Sequence, residues 1–167
     1  MGLAEHRKKA PKQVACRVIT VSDTRAPEDD ASGALITKLL ADHGHYVEGY
    51  LIVKDEPKAV KEAILKGLAT SEVDALLLNG GTGIAKRDGT YEVISGILEK
   101  KLDGFGELFR SLSYQKIGSA AMMSRAVAGV CRGKVLISMP GSTSAVEMAM
   151  TSLVLPELGH LVGEAKK

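Results

Sequence analysis

At 167 residues, 45% of them apolar and 25% charged, the chain is long enough for one domain with its own core and needs no disulfide or metal staple. With no Trp, four Tyr and two Phe, that core has to be built from Leu, Ile, Val and Ala, and no apolar run reaches the length of a membrane span. The net charge of +2 arises in residues 1–13, where Arg7, Lys8, Lys9 and Lys12 face Glu5 alone; the remainder has no basic excess, which argues against nucleic acid as a partner.

Residues 1–13 are expected to be a basic, mobile N-terminal arm ahead of a single domain at 14–167. The arm carries charges and no apolar h-region, and His6 stands where a myristoylation signal has Ser or Thr. A cytoplasmic address and no membrane contact are therefore expected. Residues 14–21 form a β-branched run that predicts a first strand, closed by Ser22-Asp23-Thr24-Arg25. That polar loop suits either a ligand or a simple Asx or Ser/Thr turn. A helix is predicted from about residue 32 to 43, with Leu35, Ile36, Leu39 and Leu40 on one face and Gly44 as its stop.

Residues 46–53 have strand character, and Pro57 opens a helix with Val60, Ile64 and Leu68 on one face. Between them Asp55 has two compatible readings, as the N-cap of that helix or as a carboxylate at the carboxyl end of a strand. The next run, residues 74–78, is short and uniformly apolar, which predicts a parallel strand covered on both faces. It stops at Asn79-Gly80-Gly81-Thr82-Gly83, where glycines let backbone N–H groups approach an anion, and phosphate is the first guess. The third glycine of a dinucleotide fingerprint is missing, and no Gly-x-x-x-x-Gly-Lys-Ser/Thr run occurs, so neither a Rossmann cofactor nor a Walker ATPase is supported. Asp88 follows as a second acid. Paired carboxylates at the rim of an anion loop suit Mg²⁺, which takes carboxylate oxygens together with substrate phosphates.

Thr90 is a candidate cap for a helix over residues 91–98, and a longer helix is predicted over 104–115 with Phe105, Leu108, Phe109 and Leu112 at helical spacing. Because it holds both Phe residues, that helix is a candidate subunit contact. Two apolar runs, 126–131 and 134–139, separated by Arg132-Gly133, predict a β-hairpin. The second ends at Pro140-Gly141-Ser142, before a helix near Thr143 whose N-terminal amides form another anion site, and a last helix is expected from about residue 156. Cys16 and Cys131 fall in apolar runs without zinc spacing and are expected to be buried, reduced thiols. The sum is an α/β fold: a three-layer α/β/α sandwich whose mostly parallel sheet carries one antiparallel hairpin.

Taken together, Thr20-Val21-Ser22-Asp23-Thr24, Lys54-Asp55-Glu56, Gly80-Gly81-Thr82-Gly83 with Arg87-Asp88-x-Thr90-x-Glu92, Ser124-Arg125-Ala126 and Met139-Pro140-Gly141-Ser142 closely resemble the molybdopterin adenylyltransferases of the MogA/MoaB type, related to the gephyrin G domain. Residues 104–110 and 124–130 look like the MoaB branch. The resemblance implies transfer of AMP from ATP to the phosphate of molybdopterin, with Mg²⁺, in molybdenum or tungsten cofactor synthesis. Carried over by residue, it implies catalytic and metal-binding roles for Asp55 and Asp88. It gives nucleotide or phosphate contacts to Gly80, Gly81, Thr82, Gly83, Pro140, Gly141 and Ser142, and a molybdopterin region to Ser22, Asp23, Ser124 and Arg125. Arg87 is a candidate for steadying phosphate. A homo-oligomer, trimer or hexamer, is also implied, and the alternative is a non-catalytic carrier or scaffold for molybdopterin. Two departures stand out. Tyr91 occupies a position where many relatives have Pro, and Gly89 precedes the Thr, so a looser Asp88 loop is expected.

Overall fold

The computed structural model describes residues 2, 7 and 9–167. Strands β1 (Ala15–Val21), β2 (Tyr46–Val53), β3 (Ala75–Asn79), β4 (Lys100–Lys101), β5 (Val127–Cys131) and β6 (Lys134–Met139) form one sheet in the order β2-β1-β3-β6-β5-β4. The first four in that order run parallel, and β5 and β4 are antiparallel additions. The expected hairpin is β5–β6, with Arg132 at φ 53° and Gly133 at φ 70°, the paired positive angles of a tight two-residue turn. Strand β4 escapes sequence reading because it is two exposed lysines rather than an apolar run.

Period-two alternation sends the strand side chains into two cores. Cys16, Val18, Leu77, Val135 and Ile137 face one layer, formed with α1 (Ala31–Asp42), α4 (Asp103–Ile117), α5 (Thr143–Ala149) and α6 (Leu155–Ala165). Ile19, Val21, Leu76, Leu78 and Leu136 face the other, covered by α2 (Pro57–Ala69) and α3 (Thr90–Ile97). All five β3 residues are buried, as a central strand sandwiched by helices requires. Helices α5 and α6 are continuous through a π-helical turn, Met150–Val154, where a new helix was expected at 156. Pro156 has no N–H to donate and crowds the carbonyl one turn back, and the wider turn accommodates it.

Three local expectations are corrected. Asp55 does not cap α2: Glu56 occupies that position without a side-chain bond, and Asp55, one residue too early, points elsewhere. Thr90 is not the cap of α3 but its first residue, and Gly89 precedes it. Phe109 is buried in the first core, 6.4 Å ring to ring from the half-buried Phe105, so the candidate contact surface of α4 does not include Phe109 and rests on Phe105 with the exposed Leu108, Tyr114 and Ile117. Of the N-terminal arm, residues 1, 3–6 and 8 lie outside the described residues. Arg7 pairs with Glu157 on α6, and a side chain at Gly159 would collide with the Pro11 carbonyl.

Candidate active site

β1 is followed in the sheet by β2 on one side and β3 on the other, so the chain direction across the sheet reverses beside it. Crevices at such reversals, outside the carboxyl ends of the strands, are where open α/β sheets bind ligands. Here the loops after β1, β3 and β6 converge. Gly80, at φ 101°, is wedged against the Val21 carbonyl at the end of β1, and its N–H donates to the Met139 carbonyl at the end of β6 (3.0 Å). A Cβ on Gly141 would lie 3.2 Å from Gly80 Cα, so the two glycine loops touch through backbone.

Beneath that contact lies a buried polar network. Asp30, 2% exposed, caps α1 through Gly33 N–H (3.0 Å) and accepts from Thr20 Oγ1 (2.5 Å), Tyr50 Oη (2.6 Å) and Arg25 Nη1 (3.3 Å). Arg25 Nη2 (2.8 Å) and Ser32 Oγ (2.7 Å) in turn donate to the Gly141 carbonyl, and Asn79 donates to Thr20 (2.9 Å). Burial alone would raise the Asp30 carboxyl; the bonds from Thr20, Tyr50 and Gly33 and the Arg25 charge outweigh it and hold the group below its usual range. Ser142 caps α5 by accepting from Ala145 N–H (3.3 Å). Sequence reading missed this network, although Asp30 at the end of an acidic run just before a helix carried a capping signal.

The two acids flank the glycine loop. A Cβ on Gly81 would lie 3.0 Å from Asp55 Oδ1 and would collide with Thr90 Oγ1, and one on Gly83 would lie 2.6 Å from Asp88 Oδ2. Asp55 Oδ1, Thr90 Oγ1 and Ser124 Oγ are buried atoms with no hydrogen-bond partner among the described residues. Burial, then the charges of Asp88 and Asp23, push the Asp55 carboxyl above its ordinary range, against the pull of Arg87 and a Gly89 N–H. An under-bonded carboxylate oxygen among like charges fits a cation. Among the described residues no group of three or more His, Cys, Asp or Glu side chains forms a metal cage of its own. Two acids that leave the remaining coordination to phosphate and water match Mg²⁺ chemistry.

A cleft of about 390 Å³ opens beside the loop, lined by Gly80, Gly81, Thr82, Gly83, Asp88, Ser124, Pro140, Gly141 and Ser142, with Phe109, Ile117, Ala121 and Met123 as an apolar wall. Polar backbone on one side and apolar side chains on the other suit a flat organic ring that carries phosphate. Of the residues assigned to molybdopterin, Ser124 lies in this cleft, but Ser22 and Asp23 line a separate groove of about 420 Å³ with Tyr50 and Lys54. Ser22 Oγ accepts from Thr24 and Arg25 N–H (3.3 and 3.1 Å), which is the plain Ser/Thr turn. Asp23 accepts from Asp55 N–H (3.2 Å) and pairs with Arg87, so it braces the acids from behind. A larger cavity of about 620 Å³ lies away from these loops, between the start of α4 and the π-helical turn.

Residues 17–160 match the protein family described as a probable molybdopterin binding domain. The chain is 52% identical over 165 residues to the molybdenum cofactor biosynthesis protein B of Bacillus cereus, covering 98% of each. Among solved structures, a crystal structure of molybdenum cofactor biosynthesis protein B superimposes with a TM-score of 0.91 at 52% identity, over 94% of this chain and 98% of that one. The tungsten cofactor synthesizing protein MoaB from Pyrococcus furiosus superimposes with a TM-score of 0.86 at 38% identity, over 95% and 100%.

Proposed function

The chain belongs to the molybdopterin-binding domain family, in the MoaB group of molybdenum and tungsten cofactor biosynthesis proteins, and from that premise we propose that it transfers AMP from Mg·ATP to the phosphate of molybdopterin. The observation that carries this reading is the buried, unpartnered Asp55 Oδ1 facing Gly81, with Asp88 against Gly83 across the same loop. A carrier needs the glycine loops but has no use for two acids held this way.

In the reaction a phosphate oxygen of molybdopterin attacks the α-phosphorus of ATP, a P–O bond forms, and the bond to the bridging oxygen breaks as pyrophosphate leaves with its electron pair. Such a transfer asks little covalent chemistry of the protein; it asks for in-line placement and for charge where negative charge gathers. Gly81, Thr82 and Gly83 would offer N–H groups unobstructed by large side chains to one phosphate group, Gly80, whose own N–H is bonded to the Met139 carbonyl, would let the phosphate approach the backbone, and Pro140, Gly141 and Ser142 would hold the nucleotide from the facing loop. Asp55 and Asp88 would hold Mg²⁺, which when bound would supply positive charge to offset the negative charge of the phosphates. Ser124 contacts molybdopterin from the cleft wall. Arg87, exposed and paired with Asp23, would turn toward the departing pyrophosphate and steady its charge. We take the protein to act in the cytoplasm and as a homo-oligomer, the second reading supported by the exposed Leu108 near Phe105 on α4.

The deciding experiment measures pyrophosphate release from Mg·ATP with and without molybdopterin, for the unmodified protein, Asp55→Asn and Asp88→Asn. Molybdopterin-dependent release that both substitutions abolish is expected. Tight molybdopterin binding with no release from the unmodified protein would overturn the enzyme and leave the carrier.

A further inference from the structure

Arg125 stands at the entrance to β5, yet its side chain is spent entirely on the loop that bears Asp88. Its Nε donates to the Gly83 carbonyl (2.9 Å), Nη2 donates to the Asp88 carbonyl (2.8 Å), and Nη1 pairs with the Glu92 carboxylate. The guanidinium carbon lies 5.2 Å from the centre of the Tyr91 ring, within cation–π range, and the ring also faces Lys101 Nζ at 5.3 Å. The Arg125 backbone N–H adds a bond to the Thr82 carbonyl (3.3 Å). One residue thus grips the loop at Thr82 and Gly83, at Asp88, and at Tyr91 and Glu92.

Inside this grip the loop closes on itself. Ala85 N–H donates to Asp88 Oδ2 (2.9 Å), and Asp88 N–H donates to the Ala85 carbonyl (2.9 Å). Ile84, Ala85, Lys86 and Arg87 are exposed, so no core packing fixes the segment. Where the Asp88 carboxylate sits relative to Asp55 therefore depends on where Gly83 and Asp88 are pinned.

We propose that Arg125 is a positioning residue for Asp88 and not a ligand of the molybdopterin phosphate. Its planar fork spans two carbonyls and stacks on Tyr91 at once, which a lysine ammonium cannot do. Tyr91, the second residue of α3, supplies the platform and so fastens the loop through its ring. The catalytic part of the inference rests on the adenylyl-transfer reading, but the loop-holding part does not.

The test compares the unmodified protein with Arg125→Ala, Arg125→Lys and Tyr91→Leu. Trypsin cleavage after Lys86 and Arg87 in the native protein is expected to rise on the order of tenfold in Arg125→Ala, less in the other two, because a released loop opens locally without global unfolding. In pyrophosphate release, kcat is expected to fall about 10²-fold in Arg125→Ala, the scale of an ångström misplacement, with KM for molybdopterin within about twofold. Millimolar guanidinium should recover part of the kcat and slow the cleavage. If Arg125→Ala proves unfolded, Arg125→Lys and Tyr91→Leu decide alone. Unchanged cleavage together with a raised KM for molybdopterin would overturn the proposal and make Arg125 a phosphate ligand. Should the unmodified protein release no pyrophosphate, the transfer reading fails, and trypsin still decides whether Arg125 holds the loop.

Discussion

Asp55 and Gly81 approach so closely that a single methyl group on the glycine would lie 3.0 Å from Asp55 Oδ1 and run into Thr90 Oγ1. Gly81 also holds φ 65°, a left-handed angle that costs other residues about 1–2 kcal/mol. Gly81→Ala should therefore lower Tm by about 5 °C and molybdopterin-dependent pyrophosphate release by at least about tenfold. Gly96→Ala is the matched control. It lies exposed in α3 with no atom within 4 Å of the new methyl group, and should leave Tm unchanged or slightly higher. Equal Tm and equal activity for the two variants would show that the close approach does not matter.

The same crowding gives Asp55 a pH signature. Its carboxyl is raised in the folded protein by burial and by Asp88 and Asp23, so its favourable contribution is present below the unfolded pKa and is lost as pH rises through the folded one. Above that window the ionised acid costs stability. Asp55→Asn should be more stable than the unmodified protein at pH 7, by about 2 °C in Tm, with the gap closing as pH falls toward the ordinary aspartate pKa of about 3.9. Mg²⁺ should raise Tm of the unmodified protein and leave Asp55→Asn unmoved. Thermal melts across pH check both, and a variant less stable at pH 7 would sink the argument.

How much of this was legible before the fold was known depends on sequence distance. The residue 74–78 run and its glycines announce a buried strand and an anion loop because burial and backbone freedom are local properties. Helices α1 and α2 show in their apolar spacing, and the β5–β6 turn shows in Arg132-Gly133. That Asp55 and Asp88 share the glycine loop is not local: it follows from β2 and β3 flanking β1, a neighbour order that spacing does not carry. The side chain of Arg125 is less legible still. It meets Gly83 across 42 positions of chain and Asp88 across 37, and the Ser124-Arg125-Ala126 motif gives no hint that the fork points at carbonyls. The caps assigned to Asp55 and Thr90 failed by a single position each, because residue type marks the neighbourhood of a helix start but not its first turn: α2 is preceded by Glu56 and α3 by Gly89.

Burial makes the two cysteines inert. For Cys16, burial and then the Asp74 charge push the thiol up to about 12, and Cys131 is raised by burial and by Glu99. A disulfide exchange reagent at pH 8 should label neither at the rate of an exposed thiol, and labelling of Cys16 should track global unfolding as denaturant is added. Rapid labelling of Cys16 in the native protein would contradict its burial between β1 and the helices of the first core.

The Asp30 network is expected to be the strongest polar support beneath the site. Asp30 is lowered in the folded state, so its stability contribution is present above the unfolded pKa and is lost as pH falls through the folded one. Asp30→Asn turns an acceptor into a donor facing Thr20 and Tyr50 and leaves Arg25 without its buried partner; the loss should be about 3 kcal/mol, or about 9 °C in Tm. Tyr50→Phe removes one donor to an oxygen that Thr20 still serves, and should cost only about 1 kcal/mol. Because Arg25 and Ser32 hold the Gly141 carbonyl, Asp30→Asn should also raise KM for ATP more than KM for molybdopterin. Urea melts at pH 7 and pH 3 give the sign directly: the gap between Asp30→Asn and the unmodified protein should narrow at the lower pH. A gap that stays constant would mean that the Asp30 charge does not hold the loop.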